Sequence, residues 1–523
     1  MFRILKNLNR DWINNLCKRS RVFLGLKPKL ALLSLFTLLA SCMVGPNYVR
    51  PPVTVPANFK EAKGKSFVVA KKKDWKLAEP RDTAKRGEWW KIFHEPRLNA
   101  LEDELNHCNQ SIANAYANYC QARAIVDEAR ASLFPTLVGA FNVFRQRQGG
   151  GATSFISSSG GTTSTGTAAT GSTQASFITV TYSAFLNASW EPDIWGLVRR
   201  TIEADASAAQ ASDALLAATR LSAQGSLAQY YFELRAVDRD QDLLDRTVVS
   251  YRKALQLTRN QYASGVASQS DILQAKSLLE TAEAQAINNG IIRAQYEHAI
   301  AVLIGRPPAN FSLPFSPLTG KPPVIPVEVP SAWLERRPDV AQAERLMQEA
   351  NAQIGVAIAA YYPTLTLSGS VSAAGRSLHH LVSSPAVGWS YGLALAQTIF
   401  DGGLREATVR AAKAGYMAQV ASYRQTVLAA FQNVEDNLVA LRLLKEQGFV
   451  LAQAAVDAEK ALRLVINQYK AGTLPYSSVI TAQINAYTAQ KNAYDVVGLQ
   501  MTSAVALIEA LGGGWCVGNL APV

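Results

Sequence analysis

Two proline-free stretches of 66 residues constrain the fold of this chain more than any other feature. They run from Leu197 to Tyr262 and from Leu404 to Tyr469 and are rich in Ala, Leu and Gln. As an α-helix, each would be ~100 Å long. A helix of that length does not fit inside a compact globule, because it needs neighbours along its whole length, as in a coiled coil or a helical barrel.

The chain is a tandem duplication. Phe134–Leu137 recurs as Tyr362–Leu365, 228 residues later, and Gln261–Gly265 recurs as Gln468–Gly472, 207 residues later. The difference of 21 residues arises between these anchors, where residues 149–176 hold seven Gly, seven Ser and seven Thr and predict a long hairpin loop. Each repeat therefore contains a helix, a β-hairpin, a long helix and a shorter helix. Composition predicts helices over 111–132, 197–262, 271–304, 338–360, 404–469 and 476–511.

The hairpins combine an absence of charge with an apolar period of two. Residues 148–190, 350–375 and 377–400 contain no Asp, Glu, Lys or Arg, and their apolar residues alternate with Ser and Thr. A half-buried sheet of a soluble protein does not explain an uncharged polar face, whereas strands of an outer-membrane barrel do. Four strands cannot close such a barrel, and an open edge in lipid leaves backbone groups unpaired. The chain must therefore oligomerise: three copies give 12 strands, and two give a tight barrel of eight.

The N-terminus has the features of an export signal. Residues 1–41 carry seven of the twelve net positive charges, so the remaining charge is ordinary and does not indicate a nucleic-acid partner. The apolar run at 30–40 is too short to cross a bilayer as a helix. It ends in Leu39-Ala40-Ser41-Cys42, which resembles a lipobox. We expect a covalent lipid on Cys42; the alternative is a chance cysteine behind an ordinary signal peptide.

The sequence does not predict an enzyme. It shows no convergent set of His, Asp and Ser residues, no metal-ligand spacing and no phosphate-binding loop. We expect no catalytic residue, no metal and no cofactor apart from the lipid on Cys42. If Cys108 and Cys120 share one helix, they lie ~18 Å apart along its axis, which is too far for a disulfide. We expect both to pack as small apolar residues.

Several motifs together resemble the TolC-like outer-membrane efflux proteins, in the lipoprotein (NodT/OprM-like) branch that serves resistance-nodulation-division pumps. The resemblance covers residues 42–512. It rests on Cys42–Tyr48 with Pro51-Pro52, Trp89-Trp90 with Glu95–Leu98, Arg336–Val340 through Ala343-Glu344, Tyr362–Leu365 and Ile399–Arg405.

The resemblance implies an α+β membrane protein. A tandem-duplicated long-helix barrel and four β-strands per chain would form, as a homotrimer, a 12-strand β-barrel in the outer membrane of a Gram-negative bacterium, with a periplasmic α-helical tunnel. Such a protein is the passive exit duct of a tripartite system. It passes drugs, toxic compounds or metal ions from a periplasmic adaptor and an inner-membrane pump to the exterior. The alternatives are a type I protein-secretion duct and a lipid-anchored trimeric surface stalk.

This organisation divides the chain into six segments. They are a lipoprotein signal peptide (1–41), a lipidated N-terminal segment (42–95), repeat one (96–305), a linker (306–330), repeat two (331–512) and a C-terminal tail (513–523).

The turns between long and shorter helices would, by the same resemblance, form the periplasmic tip. Each holds a Tyr-x-x-Gly turn, in which glycine permits unusual backbone angles. Some family members close the tip with rings of Asp, but repeat two has Ser478 and Thr481 there, which leaves Asp271 as the candidate gate. The alternative is a helix N-terminal acid favoured by the helix dipole. The residues expected to contact the adaptor are Tyr262, Gly265, Asp271, Leu273, Ala275, Tyr469, Gly472, Val479 and Ala482.

Overall fold

The computed structural model describes most of the chain. The described residues are 43–52, 56, 59–61, 88–148, 177–320, 322–323, 325, 337–381 and 387–513. The expected signal peptide, Cys42, the hairpin loop at 149–176 and nearly all of the C-terminal tail lie outside the described residues.

The described elements follow the order expected of a duplicated chain. Short 3-10 helices also occur at Trp89–Phe93, Pro308–Asn310 and Leu378–His380. The longer elements are α1 (Pro96–Cys108), α2 (Gln110–Ala131), β1 (Thr136–Gln148), β2 (Phe177–Trp190), α3 (Leu197–Ala263), α4 (Gln269–Leu303), α5 (Pro338–Ala359), β3 (Thr364–Gly375), β4 (Val387–Ala396), α6 (Leu404–Lys470) and α7 (Tyr476–Ala510).

All six helices predicted from composition are confirmed, with ends within two residues of those expected. Local chemistry explains several ends. Pro96 and Pro338 occupy first helical positions, where the missing N–H costs nothing. Asn109 separates α1 from α2, and its Oδ1 accepts a hydrogen bond from the Ile112 amide at 2.9 Å, as an N-cap does. None of the described helices contains a stretch apolar enough to cross a membrane.

The four strands form one antiparallel sheet in the order β1-β2-β3-β4. β1 pairs with β2 and β3 pairs with β4 as the two hairpins, and β2 pairs with β3 to join the repeats. Within the described part of one chain, the outer edges of β1 and β4 have no neighbouring strand.

The chain folds into two compact units that cut across the repeats. Among the described residues, the strand unit contains those of 43–46, 127–202 and 352–412, and the helical unit contains those of 47–126, 203–351 and 413–513. In the part of the chain that the structure describes, the helical unit has four clusters of buried apolar side chains. Cys108 ends α1 and Cys120 lies in α2, and both are free, as expected. The prediction that they pack as small apolar residues is wrong, because both are exposed.

A buried ion-pair network fixes the start of the inter-repeat segment within the helical unit. Asp238 is fully buried and pairs with Arg235 at 3.0 Å and with Arg293 at 2.7 Å. Its Oδ2 also accepts a hydrogen bond from the Ser316 amide at 3.0 Å. Because a buried carboxylate is tolerated only when it is paired, these contacts hold the segment near residue 316 against α3 and α4.

Candidate functional site

The register of the sheet separates apolar from polar side chains. Residues directly opposite each other across two strands lie on the same face, so the pairings define each face along its length. The apolar face carries Leu137, Phe141, Val143, Ile178, Val180, Tyr182, Leu186, Trp190, Leu365, Leu367, Val371, Trp389, Tyr391, Leu393 and Leu395.

This apolar face is exposed within one chain. Trp389 and Tyr391 stack with ring centroids 5.7 Å apart, and their exposed fractions are 72% and 82%. So much continuous apolar surface marks contact with lipid or with another protein. The prediction of alternating strands is confirmed.

The opposite face is uncharged and rich in Ser and Thr from β2 and β3, although Val138, Phe144 and Phe185 also lie on it. The hydroxyls of Ser370 and Ser390 lie 2.8 Å apart on this face. Between Thr364 and Ala396 no Asp, Glu or Lys occurs on either face. This face can line an aqueous passage that attracts neither cations nor anions strongly.

Aromatic side chains make hydrogen bonds and stack at the end of the sheet where the strands lead into the helices. Trp190 donates its ring N–H to the Leu133 carbonyl at 2.9 Å, and Trp195 donates to the Pro363 carbonyl at 2.8 Å. Trp195 also stacks on Tyr362 at 4.8 Å, beside a cavity of about 150 Å³. Trp190 and Trp195 are half-buried. Aromatic rings with one polar and one apolar side are typical of the belts at a membrane interface.

The first described residues dock in the strand unit. Arg200, which is 1% exposed, donates hydrogen bonds to the carbonyls of Val44 at 3.0 Å and Gly45 at 3.1 Å. Gly45 has φ +97°, and a Cβ there would lie 2.5 Å from the Cα of Gly355. Only glycine fits this crossing. Cys42 itself lies outside the described residues, so its acylation stays a prediction.

The two Tyr-x-x-Gly turns have the same backbone conformation. Gly265 has φ +77° and Gly472 has φ +73°. The Gly265 amide donates to the Tyr262 carbonyl at 2.9 Å, and the Gly472 amide donates to the Tyr469 carbonyl at 3.0 Å. A left-handed glycine that closes a helix in this way is a standard C-terminal cap.

Asp271 completes a capping box at the start of α4. Its Oδ2 accepts a hydrogen bond from the Ser268 amide at 2.9 Å, and the Ser268 hydroxyl accepts one from the Asp271 amide at 3.3 Å. The described contacts of Asp271 thus match the helix-start interpretation. The gate interpretation stays a prediction, since it concerns copies of the chain around an axis.

The structure sorts the expected adaptor-contact residues by exposure. Exposed side chains or backbone occur at Tyr262, Gly265, Leu273 and Gly472, and half-buried ones at Asp271 and Ala482. By contrast, Ala275, Tyr469 and Val479 are buried in one cluster at the turns, at 2%, 8% and 2% exposure. Contact with an adaptor stays a prediction for the whole set, and the three buried residues hold the turns together.

The buried cluster brings the two repeats together. Tyr469 packs against Tyr476 with ring centroids 5.3 Å apart, next to Tyr251 and Leu255 of α3. Burial raises the pKa of Tyr469 and of Tyr476, and the nearby Asp271 carboxylate adds to both rises. The turns are therefore a packed unit in which Asp271 of repeat one lies beside tyrosines of repeat two.

Sequence reasoning missed Tyr476, Arg200 and Gly355. A glycine inside a helix is a visible signal, because it weakens the helix unless another backbone approaches closely. The burial of Tyr476 gives no such local signal. Among the described residues no group of His, Cys, Asp and Glu side chains is placed to hold a metal ion.

A four-stranded sheet with one largely apolar face and one uncharged face, in a chain that also holds two helices of 67 residues, is typical of a membrane channel protein. The model of the family described as outer membrane efflux protein matches residues 101–306 and 329–513. The chain belongs to the outer membrane efflux protein family.

Individual relatives agree with this assignment. The chain is 29% identical over 484 residues to the probable efflux pump outer membrane protein TtgC of Pseudomonas putida, which covers 91% of this chain and 94% of that protein. It is 27% identical over 487 residues to nodulation protein T of Rhizobium leguminosarum bv. trifolii, with 91% and 96% covered. The solved structure of the outer-membrane channel OprN matches with a TM-score of 0.76 and 26% identity, over 91% of this chain and 100% of that one.

Proposed function

We propose that three copies of this chain form the outer-membrane exit duct of a tripartite efflux system. The observation that carries the proposal is the four-stranded sheet, which has an apolar face and two edges without neighbouring strands in the described part of one chain. In lipid, unpaired edge groups are costly, so β1 of one copy would pair with β4 of the next. Three copies give 12 strands around a polar lumen.

The duct would be passive. Its lumen-facing side chains from β3 and β4 are Ser, Thr, Gly and Ala, which suit the passage of varied solutes and no chemical step. A periplasmic adaptor and an inner-membrane pump would supply recognition and energy. Similarity to the probable efflux pump outer membrane protein TtgC supports efflux. The proposed cargo is a small molecule: a drug, a toxic compound or a metal ion.

The exposed part of the turns would meet the adaptor. Tyr262, with 48% of its surface exposed, and Leu273, with 59%, offer apolar contact beside the Gly265 turn. The buried Tyr469 and Val479 would keep this surface rigid. Asp271 would gate the tip only if its three copies approach one another around the trimer axis.

Cys42 would carry the lipid anchor. Met43 to Gly45 dock in the strand unit, so an acylated Cys42 would enter the membrane beside the end of β2. Acyl chains add ~0.8 kcal/mol of membrane affinity per buried methylene, and more than one chain is needed for a stable anchor.

Neighbouring residues of β3 allow a direct test of the lumen. In a Cys108→Ser/Cys120→Ser/Cys516→Ser background, Ser370→Cys places a thiol on the polar face and Val371→Cys places one on the apolar face. We expect a bulky, charged, membrane-impermeant maleimide to label Ser370→Cys and to raise cellular accumulation of a fluorescent pump substrate. Val371→Cys is the matched control and should keep efflux unchanged.

Native mass spectra of the protein extracted from membranes complete the test. A trimer whose chains begin at an acylated Cys42 is the expected result. Efflux that is unaffected by labelled Ser370→Cys would contradict the duct. A monomer under gentle extraction would favour the surface stalk, and loss of a secreted protein without a change in drug accumulation would favour a type I secretion duct.

A further inference from the structure

Two arginines lie near the C-terminal end of β1, which is the end farthest from the helices. Arg145 lies directly opposite Val180, and Arg147 lies directly opposite Ile178. Both arginines therefore share the apolar face of the sheet with Val143 and are exposed. Charged side chains on a lipid-facing surface are strongly disfavoured near the membrane midplane and tolerated near its boundaries.

The strand length places these arginines at the outer boundary. Arg147 follows Leu137, which lies near the helix end of β1, by ten residues. That is ~34 Å along a strand and, at the ~40° tilt of barrel strands, ~26 Å along the membrane normal. The apolar band of such barrels is ~25 Å tall, so the guanidinium groups reach the headgroup layer.

The surrounding charge is of one sign. From Thr136 to Trp190 and from Thr364 to Phe400 the chain contains three Arg and no Asp, Glu or Lys. The third arginine, Arg376, directly follows β3 at the same end of the sheet. No acidic side chain of either hairpin or its loop is therefore available to neutralise Arg145 and Arg147.

We propose that Arg145 and Arg147 bind the phosphate groups of the phosphorylated glycolipid of the outer leaflet. A guanidinium group donates two parallel hydrogen bonds to a phosphate, and its charge satisfies the anion. Val143 and Tyr182 continue the same face toward the membrane interior, where the acyl chains lie, and Val180 and Ile178 lie directly opposite the two arginines. The proposal rests on the barrel described above, because it requires the apolar face to meet lipid.

The test measures glycolipid binding to the trimer in mild detergent. The probes are bisphosphorylated lipid A, monophosphoryl lipid A and phosphatidylglycerol, and bound copies are counted by native mass spectrometry. Arg145→Gln/Arg147→Gln should weaken binding of bisphosphorylated lipid A by about tenfold or more. The matched control Arg424→Gln/Arg463→Gln removes the same charge from exposed positions of α6 and should bind like the parent protein.

Further arms separate phosphate recognition from general attraction. Monophosphoryl lipid A should bind less tightly than the bisphosphorylated form, and Arg145→Lys/Arg147→Lys should retain part of the binding. The proposal is overturned if Arg145→Gln/Arg147→Gln and the control bind bisphosphorylated lipid A equally. It is also overturned if phosphatidylglycerol shows the same affinity and the same loss. A parent protein that forms no trimer would contradict the duct instead, so the two failures are distinguishable.

Discussion

The two Tyr-x-x-Gly turns have the same backbone conformation but differ in the burial and contacts of their side chains. Tyr262 and Tyr469 are equivalent at the repeat offset of 207, and the glycines three residues later have nearly equal φ angles. Yet Tyr262 is 48% exposed, whereas Tyr469 is 8% exposed and packs on Tyr476. Duplication has kept the turn, and packing has assigned the two tyrosines to surface and core.

The N-termini of the helices that follow the two turns also differ. Ser268 and Asp271 form a capping box in repeat one. The equivalent positions in repeat two are Pro475 and Ser478, and no side chain caps α7. The glycine and the helix lengths keep the backbone of the two turns alike, while their side chains have diverged.

The largest expected effect is a difference in stability between alanine variants of the two tyrosines. Tyr469→Ala removes a ring from a packed cluster and should lower the local free energy of unfolding by ~3 kcal/mol. Tyr262→Ala should change it by less than ~0.5 kcal/mol, because its ring is largely exposed. Hydrogen exchange of the segments around 248–282 and 469–486 measures both. Equal destabilisation by the two variants would break the comparison. Tyr262→Ala should instead weaken co-purification of the adaptor.

The C-terminal ends of α4 and α7 also differ between the repeats, because only α7 carries a titrating carboxylate there. Glu509 is equivalent to Val302, which is 63% exposed. Burial raises the pKa of Glu509 from 4.5 to about 7, and Arg337 opposes the rise. A Cβ on Gly225 would lie 2.6 Å from the Glu509 carboxylate, which shows how closely this group approaches α3.

A folded-state pKa above the unfolded value makes the contribution of Glu509 to stability fully present below pH ~4.5 and lost as pH rises through ~7. At about 1.4 kcal/mol per unit, and with a discount for partial exposure, the loss should be ~2 kcal/mol. Glu509→Gln should remove this part of the pH dependence. Thermal unfolding at pH 5 and pH 8 checks it; a parallel loss of stability in both proteins would assign the dependence to other groups.

The two turn glycines should respond alike. Gly265→Ala and Gly472→Ala each force a side chain into the left-handed region, at a cost of ~1 kcal/mol. Neither would create a clash, since no atom lies within 4 Å of either added Cβ. Gly415→Ala, a helical glycine with equally open space, is the matched control and should not destabilise the protein. Local hydrogen exchange that differs between the two turns would contradict their equivalence.

The smallest expected effects concern the helix starts. Asp271→Ala should cost ~0.5 kcal/mol through loss of the cap. Ser478→Asp should gain at most ~0.3 kcal/mol, because Pro475 has no N–H to complete a capping box. The rate at which an antibiotic leaks into cells that lack the inner-membrane pump distinguishes the two roles considered for Asp271, a helix cap and a gate. Unchanged leak in Asp271→Ala identifies a cap, whereas increased leak identifies Asp271 as part of a gate.

Much of the architecture could be predicted because its signals are local. Helix ends follow from proline, asparagine and glycine at the positions where caps require them, as at Asn109 and Gly265. Strand alternation in β3 and β4 follows from a period of two. The face of Arg145 was harder to predict, because alternation in β1 is less regular. It became clear only from the pairing with Val180.

The sequence by itself determined the duplication, the helix lengths, the strand alternation and the two glycine turns. Each is encoded within a short window, through backbone preference or side-chain period. Only the tertiary structure decided that β2 pairs with β3 across the repeats, that Arg200 holds the backbone of Gly45, and that Tyr469 is buried while Tyr262 is exposed. These outcomes depend on which distant segment packs opposite a residue, and equal local sequences cannot distinguish between two different neighbours.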